Sequence, residues 1–542
     1  MKKNCFLILV FFITYQLHAQ IVFEDHRSEI YNYLYRMAQK GLISFEDHIR
    51  PLPRKQIIQA LDSLEKQTQT LTVLERKELQ FYQKEYSDLK APVQSNTDLR
   101  ILRKDGYGRL RGMSVRSQQQ LLNVDPVFIA GVIGGNGRNV KRSGTGLNVW
   151  GQSGKWGYQL FYEDINESGT GIDSLRAFTP EIGIIRRDTS NKKSQNFMQV
   201  RGAISYGWKN GSVSIGNDRL LWGYGENGRV ILSDKAPSYP YLRLDYRPFS
   251  WLSFNYAHAW LNSKLIDSTR TYGTGNTVFG GERKVFIPKF FVTHSILVRP
   301  IKGLDLAVGE SIVYSDRLDA GYFVPVVFFK MYEINANNSS ILSGSNGQIF
   351  FQASSRNHIP GTHIYGTFFI DEMRISTFFN RAKRRNQSGY TVGISKTDLL
   401  LPYLTATFEY SRITPFTYRN LIPAQDYTHH GYSLGDWMGN NADRLLFSLK
   451  YTPIPRLKTF VRYQQVRKGG AGTLEQQYFQ EPQPSFLFNH QFTQKEWFTG
   501  ISYEWINNLT LYANFRSLRT HSIADNSSKN DKILSAGFTF GF

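Results

Sequence analysis

Residues 533–542 read ILSAGFTFGF. Leu534, Ala536, Phe538, Phe540 and Phe542 fall on one parity, and Ser535, Gly537, Thr539 and Gly541 on the other. A repeat of two is the side-chain period of a β-strand. One face is therefore apolar and aromatic, and the other small and polar. A soluble chain seldom places three phenylalanines on one face of its last five residues. A strand of a membrane barrel needs such a face, because alternate residues meet lipid and a polar interior. In a closed barrel the last strand pairs with the first, so no edge remains.

The same period runs upstream. In Val200–Asn217, Val200, Gly202, Ile204, Tyr206 and Trp208 point one way, and Arg201, Ala203, Ser205 and Gly207 the other. Asn210-Gly211 supplies a two-residue hairpin turn. Trp156–Glu163 and Trp497–Trp505 alternate likewise, the latter leading into a turn at Asn507-Asn508. Several connections are short and Pro-bearing: Arg247–Ser250, Arg299–Gly303 and Thr452–Arg456. Others, such as 166–188, 263–284 and 468–494, are long and polar. Short turns alternating with long loops describe an up-and-down membrane barrel, with the short turns at the periplasmic rim. Strand ends rich in Tyr, Trp and Phe supply the aromatic girdle. A soluble sandwich or propeller also alternates, but it gives no reason for the closing strand. At about 25 residues per strand with its connection, the span 98–542 holds roughly 16–18 strands.

Composition agrees. The chain has 542 residues, a net charge of +21, one Cys and 14% aromatics. So many aromatics exclude a disordered chain, and one Cys excludes a disulfide scaffold. A helical membrane protein needs apolar runs of about 18–20 residues. Beyond the N-terminus the longest run is Tyr322–Phe329, which Pro325 interrupts. The mean hydropathy of −0.38 suits strands whose polar half cancels the apolar half. Lys2 and Lys3, the apolar run Phe6–Ile13 and the small Ala19 predict a signal peptide over 1–19. Its removal would take away Cys5, and with Lys2 and Lys3 would lower the charge from +21 to +19.

Residues 20–97 read as a periplasmic helical region. Ile30, Tyr33, Leu34 and Met37 recur at helical spacing before Gly41. Pro53 suits the start of a second helix carrying Ile57, Ala60, Leu61 and Leu64. Thr72 and Glu75 form the pattern of a capping box for a third. The charges Glu65-Lys66 and Arg76-Lys77-Glu78 read as a solvated face.

Catalytic and metal chemistry finds little support. Gly223, Gly225 and Gly228 match G-x-G-x-x-G, but Arg229–Leu232 reads as a strand where a dinucleotide site needs a helix. There is no H-E-x-x-H, EF-hand or G-x-S-x-G pattern. We expect no enzyme, no cofactor and no metal. Positive charge is the remaining signal. Arg201, Arg243, Asp245 and Arg247 share inward parity, where arginine either neutralises lumen carboxylates or binds anionic sugars. Arg381, Lys383, Arg384 and Arg385 form a basic run in a loop, suited to acidic capsule or lipopolysaccharide phosphate. Export disfavours nucleic acid.

The segment Gly216–Asp245, GNDRLLWGYGENGRVILSDKAPSYPYLRLD, resembles the R-x-x-W-G-x-G … L-S-x-x-A-P block of the Wzi family of outer-membrane capsule assembly proteins. Tyr224 stands where the family block has Pro. Lys40–Ile43 with Arg50–Arg54, Gly309-Glu310 with Tyr322–Pro325, and Gly431–Gly439 resemble further blocks, in order along the chain. The resemblance implies an all-β, 18-stranded transmembrane barrel with a small N-terminal helical bundle. It adds Arg219, Trp222 and Glu310 to the candidate polysaccharide-binding or lumen-charge residues. It implies a role in assembling or attaching capsular polysaccharide in the cell outer membrane. Two alternatives stand beside it: an anion-favouring porin and a gliding-motility outer-membrane protein. The closing strand, ending at Phe542, resembles the signal read by the barrel assembly machinery.

Overall fold

A computed structural model of the chain describes residues 21–86, 97–104, 109–117, 120–186, 193–275, 280–337, 344–373, 380, 385–506 and 508–541. The expected leader 1–19, the basic positions Arg381, Lys383 and Arg384, and Phe542 lie outside these residues.

Eighteen antiparallel strands close into a barrel. They are β1 (Gln120–Gly135), β2 (Arg138–Ser153), β3 (Trp156–Thr170), β4 (Ser194–Trp208), β5 (Gly211–Asp218) and β6 (Tyr239–Phe249). Next come β7 (Leu252–Ile266), β8 (Phe286–Ile301), β9 (Leu304–Ser315), β10 (Asn346–Arg356), β11 (Thr362–Met373) and β12 (Asn386–Thr397). The last six are β13 (Leu404–Ile413), β14 (Ala442–Tyr451), β15 (Leu457–Lys468), β16 (Phe492–Ile506), β17 (Leu509–Ser522) and β18 (Ser528–Phe540). Closure runs from Leu534 opposite Gly134 to Phe540 opposite Phe128. Below it, the hairpin Asp98–Lys104 and Leu110–Arg116 pairs with the start of β1.

The alternation sets the wall. On β4, Gln195, Phe197, Gln199 and Arg201 are buried in the interior, while Met198 and Ile204 are exposed outward. One rim carries the short connections, including 154–155, 209–210, 250–251, 302–303 and 452–456. The other carries 171–193, 219–238, 267–285, 316–345, 414–441 and 469–491, together with the short turns 136–137 and 523–527. Aromatic pairs mark the short-turn rim: Trp156 with Tyr206 at 5.1 Å, and Phe249 stacked on Trp251 at 5.5 Å. Their amphipathic rings suit the lipid–water boundary.

Before the barrel come α1 (Ile30–Gln39), α2 (Arg54–Glu65) and α3 (Val73–Tyr86). The capping box forms: Glu75 N donates to Thr72 Oγ1 at 3.3 Å, and Thr72 N donates to Glu75 Oε2 at 2.7 Å. Ile30, Leu34, Ile57, Leu61, Leu64 and Leu79 make the head's own core. The head seals the short-turn rim. Gln39 Nε2 reaches Ser395 O on β12 at 3.1 Å. Gly41 sits at φ +71°, and a Cβ there would lie 2.2 Å from Asn357 in a rim turn. Glu78 is not part of a solvated face: it is buried, takes Arg456 N at 2.7 Å and pairs with Lys458.

Candidate functional site: a lumen filled from both ends

The connection 219–238 leaves the long-loop rim and turns into the lumen. There Leu221–Trp222 pairs with Ile49–Arg50 of the head, and Gly223 N donates to His48 O at 2.8 Å. The head and an outer-rim loop thus meet inside the barrel. Trp222 is fully buried, with Nε1 3.3 Å from Ser295 Oγ. Arg229–Leu232 does not form the expected strand. Leu232 only bridges back to Trp222, and Val230, Ile231 and Leu232 are buried against a second inward loop.

That second loop is 414–441. Tyr418 OH donates to Val230 O at 2.6 Å, Tyr427 OH to Ile231 O at 2.9 Å, and Trp437 Nε1 to Asn227 O at 2.7 Å. The Tyr418 and Tyr427 rings stack at 5.4 Å. Beside them Arg444, wholly buried on β14, pairs with Asp436 at 3.1 Å and Glu409 at 3.3 Å. Gly228 presses on this cluster: at φ +145°, a Cβ would lie 2.4 Å from Asp436 Oδ2. Tyr224 N donates to Thr367 Oγ1 at 3.2 Å, a bond that proline at that position could not make.

The inward arginines hold the head. Arg201 pairs with Asp25 at 2.7 Å. Arg243 donates to Pro51 O at 2.9 Å and pairs with Asp245 at 2.8 Å; Asp245 also accepts from Asn255 at 2.7 Å. Arg247 lies 3.5 Å from Glu46. Arg356, on β10, donates to Phe45 O at 2.7 Å and pairs with Asp47 at 2.5 Å. Burial pushes the Asp47 carboxyl up, but Arg356 and Arg50 outweigh it and hold it well below the usual range. His26 lies 3.4 Å from Asp25 and 3.3 Å from Asp234 of the inward loop. Burial lowers both His26 and His48, with nearby carboxylates offsetting part of the shift.

These placements redraw the candidate set. Arg201, Arg243 and Arg247 are lumen charges that contact the head, and Asp245 pairs with Arg243 and Asn255 on the wall. Arg219 is buried and donates to Gln199 Oε1 at 3.1 Å. Trp222 lies too deep to stack on an external sugar. Glu310 does not belong to the lumen: it has outward parity on β9, opposite His294 on the outer wall. Arg385 stands at the long-loop rim, largely buried and 3.6 Å from Glu481. Sequence reading missed Asp47, Arg356, Glu409, Asp436 and Arg444. Inward parity marks Arg356, Glu409 and Arg444, but the partner of Arg356 arrives from the head, 309 residues away, and Asp436 from an irregular loop that parity does not place.

The plug leaves one side of the lumen open. A cavity of about 820 Å³ runs between the head and the inner wall of β1–β4 and β15–β18. It reaches from Glu504 and Asn508 near the short-turn rim to Ile172 and Glu181 near the other. Arginines and carboxylates line it in nearly equal number, with Trp150 and Phe161 among them.

Residues 173–517 match the family model described as capsule assembly protein Wzi. The chain belongs to the Wzi family. It is an outer-membrane β-barrel. Among solved structures, Wzi from Escherichia coli superposes with a TM-score of 0.59 at 14% identity, covering 97% of this chain and 100% of its own. That protein is described as a carbohydrate-binding β-barrel involved in group 1 capsule assembly. The likeness is one of fold. Looser superpositions include Pseudomonas aeruginosa OccK3, with a TM-score of 0.43, 13% identity and coverage of 77% of this chain and 95% of that one. Acinetobacter baumannii OccAB2 gives 0.44, 12% identity, and 78% and 98% coverage. No curated protein matches the chain by sequence.

Proposed function

We propose that this Wzi-family barrel assembles or retains surface polysaccharide by holding it at the long-loop rim, without chemistry on the polymer. The observation that carries this reading is the doubly filled lumen. The head enters from one rim, loops including 219–238 and 414–441 enter from the other, and head and loop bond at the Ile49–Trp222 bridge. A barrel filled this way presents a shaped outer surface rather than a wide pore. The description of the Escherichia coli relative as carbohydrate-binding supports the ligand class.

With Trp222 and the lumen arginines engaged inside, the polymer-facing groups are the exposed ones. Tyr272 and Arg283 stand in the hairpin of 267–285, and Phe479 stands on 469–491. Exposed rings suit sugar faces, and arginine suits sugar carboxylates. Deleting the gene should release cell-attached capsule into the medium; a deletion strain with unchanged attached capsule defeats the proposal. Tyr272→Ala with Arg283→Ala should weaken binding of purified capsule while the barrel stays folded.

A second reading rests on the side cavity, which would pass small solutes. Its balanced lining opposes the strong anion preference expected of an arginine-lined pore. Planar-bilayer recording separates the readings. Silence or small unselective steps fit the plugged barrel, and a large stable anion current fits a porin.

A further inference from the structure

The connection after β9 begins at the long-loop rim, but its described residues 316–337 fold back down the outside of the barrel. A turn at Ala320–Phe323 and the helix α4 (Phe329–Asn337) lie against outward side chains of β7, β8 and β9. Tyr256, Phe290, Val292, Ile312 and Tyr314 are buried there although they point away from the lumen.

Polar groups clamp the segment to the wall. Tyr256 OH donates to Tyr322 O at 2.8 Å, and the His294 ring bonds Pro325 O at 2.8 Å. Glu310 accepts Phe329 N at 2.5 Å and lies 3.0 Å from His294 Nε2. Strand register gives the height. Val213, Leu244, Tyr256, His294, Glu310 and Ile349 are successive cross-strand partners in one row. Val213 and Ile349, at its two ends, are exposed apolar residues of the outer wall. The His294–Glu310 contact therefore lies within the apolar belt, where uncovered polar groups are costly.

The free side of the cover is mainly apolar, although Lys330, paired with Glu333 at 2.7 Å, and Asn335 are also exposed on α4. Val324, Val326, Phe328, Met331 and Ile334 are exposed, Val326 to 78% and Met331 to 64%. We propose that this segment is a membrane-embedded strap whose free face is covered by fatty acyl chains of the outer leaflet. Its occupant follows from continuity with the belt, since Ile296, Val308 and Phe351 extend the same apolar surface. Its leaflet follows from topology, since the segment descends from the long-loop rim.

The test uses the full chain in a Cys5→Ser background, in phosphatidylcholine nanodiscs. A nitroxide is placed singly at Met331→Cys or Val326→Cys, with Tyr272→Cys as a water-exposed reference. Collision with oxygen should be high at both strap positions, and collision with a water-soluble nickel chelate several-fold lower than at Tyr272. Chelate access equal to that at Tyr272 would make the segment an aqueous loop. Exclusion of both reagents would place a second copy of the chain on the strap. Either result overturns the proposal.

Discussion

The head and the inward loops 219–238 and 414–441 both fill the lumen, and they meet at Ile49 and Trp222, but they hold the wall by different means. The head is fastened by charge: Asp25 to Arg201, Asp47 to Arg356, Glu78 to Lys458 and Asp398 to Arg36. The loops are fastened by an aromatic and aliphatic cluster, with tyrosine hydroxyls bonding main-chain carbonyls. Desolvated ion pairs demand one register, and breaking them from one side leaves a buried charge uncompensated. Apolar packing is less exacting in geometry and indifferent to pH. The head's seating thus responds to protons through His26 and His48, while the loop plug carries buried histidines of its own, His429 and His430, likewise lowered by burial. Arg444, with Asp436 and Glu409, is a fully buried ionic exception inside the loop plug.

Arg444→Ala tests that exception and should have the largest effect. It strands two buried carboxylates and should cost about 3–5 kcal/mol. A lowered temperature for the heat-modifiable gel shift, together with new protease cleavage in 414–441, would register it. If the loop stays protected, the aromatic cluster alone holds it. Arg356→Ala comes next, at about 2–3 kcal/mol, because Arg50 remains 3.1 Å from Asp47 to share the charge. It should loosen the head without exposing 414–441. Protection of the two segments can be read in one digest, and joint loss would mean that the plugs are a single cooperative unit.

The barrel was legible in the sequence because its signal is local. Alternation in ILSAGFTFGF and around Asn210-Gly211 needs only neighbouring residues, and the side-chain period carries the face. The head was legible for the same reason, through Thr72 and Glu75. The routes of the long connections were not. Whether 219–238 projects outward or turns in depends on Val230 and Ile231 finding Tyr418 and Tyr427, remote in sequence. Glu310 entered through the family resemblance, and the alternation of Leu304–Ser315 says which face it takes but not what covers that face. The strap over Glu310 and His294 comes from a later segment whose apolar run, Tyr322–Phe329, reads only as too short to span a membrane.

Acidification probes the comparison more gently. His26 and His48 are buried in the head with lowered affinity for protons, so the unseated head binds more protons than the seated one. Stability of seating is therefore full above the ordinary histidine value of about 6.5 and falls as pH drops below it. Asp47, whose folded-state affinity is also lowered, adds a loss of the same sign at lower pH, below the ordinary carboxylate range. Protease access to the head should rise between pH 8 and pH 5. His26→Gln with His48→Gln should flatten that part of the profile.

The smallest effect belongs to Lys450, which touches both plugs. Its Nζ lies 2.7 Å from Glu226 of the inward loop and 3.5 Å from Asn32 of the head. Geometry alone would make it a tie between them. Its side chain is 39% exposed, however, so water and salt screen the pair. Lys450→Ala should change stability by no more than about 0.5 kcal/mol, and raised salt should erase even that. A loss comparable to that of Arg356→Ala would show that the two plugs are joined through the lumen by charge. The division between an ionic head and an apolar loop plug would then fail at the point where they meet.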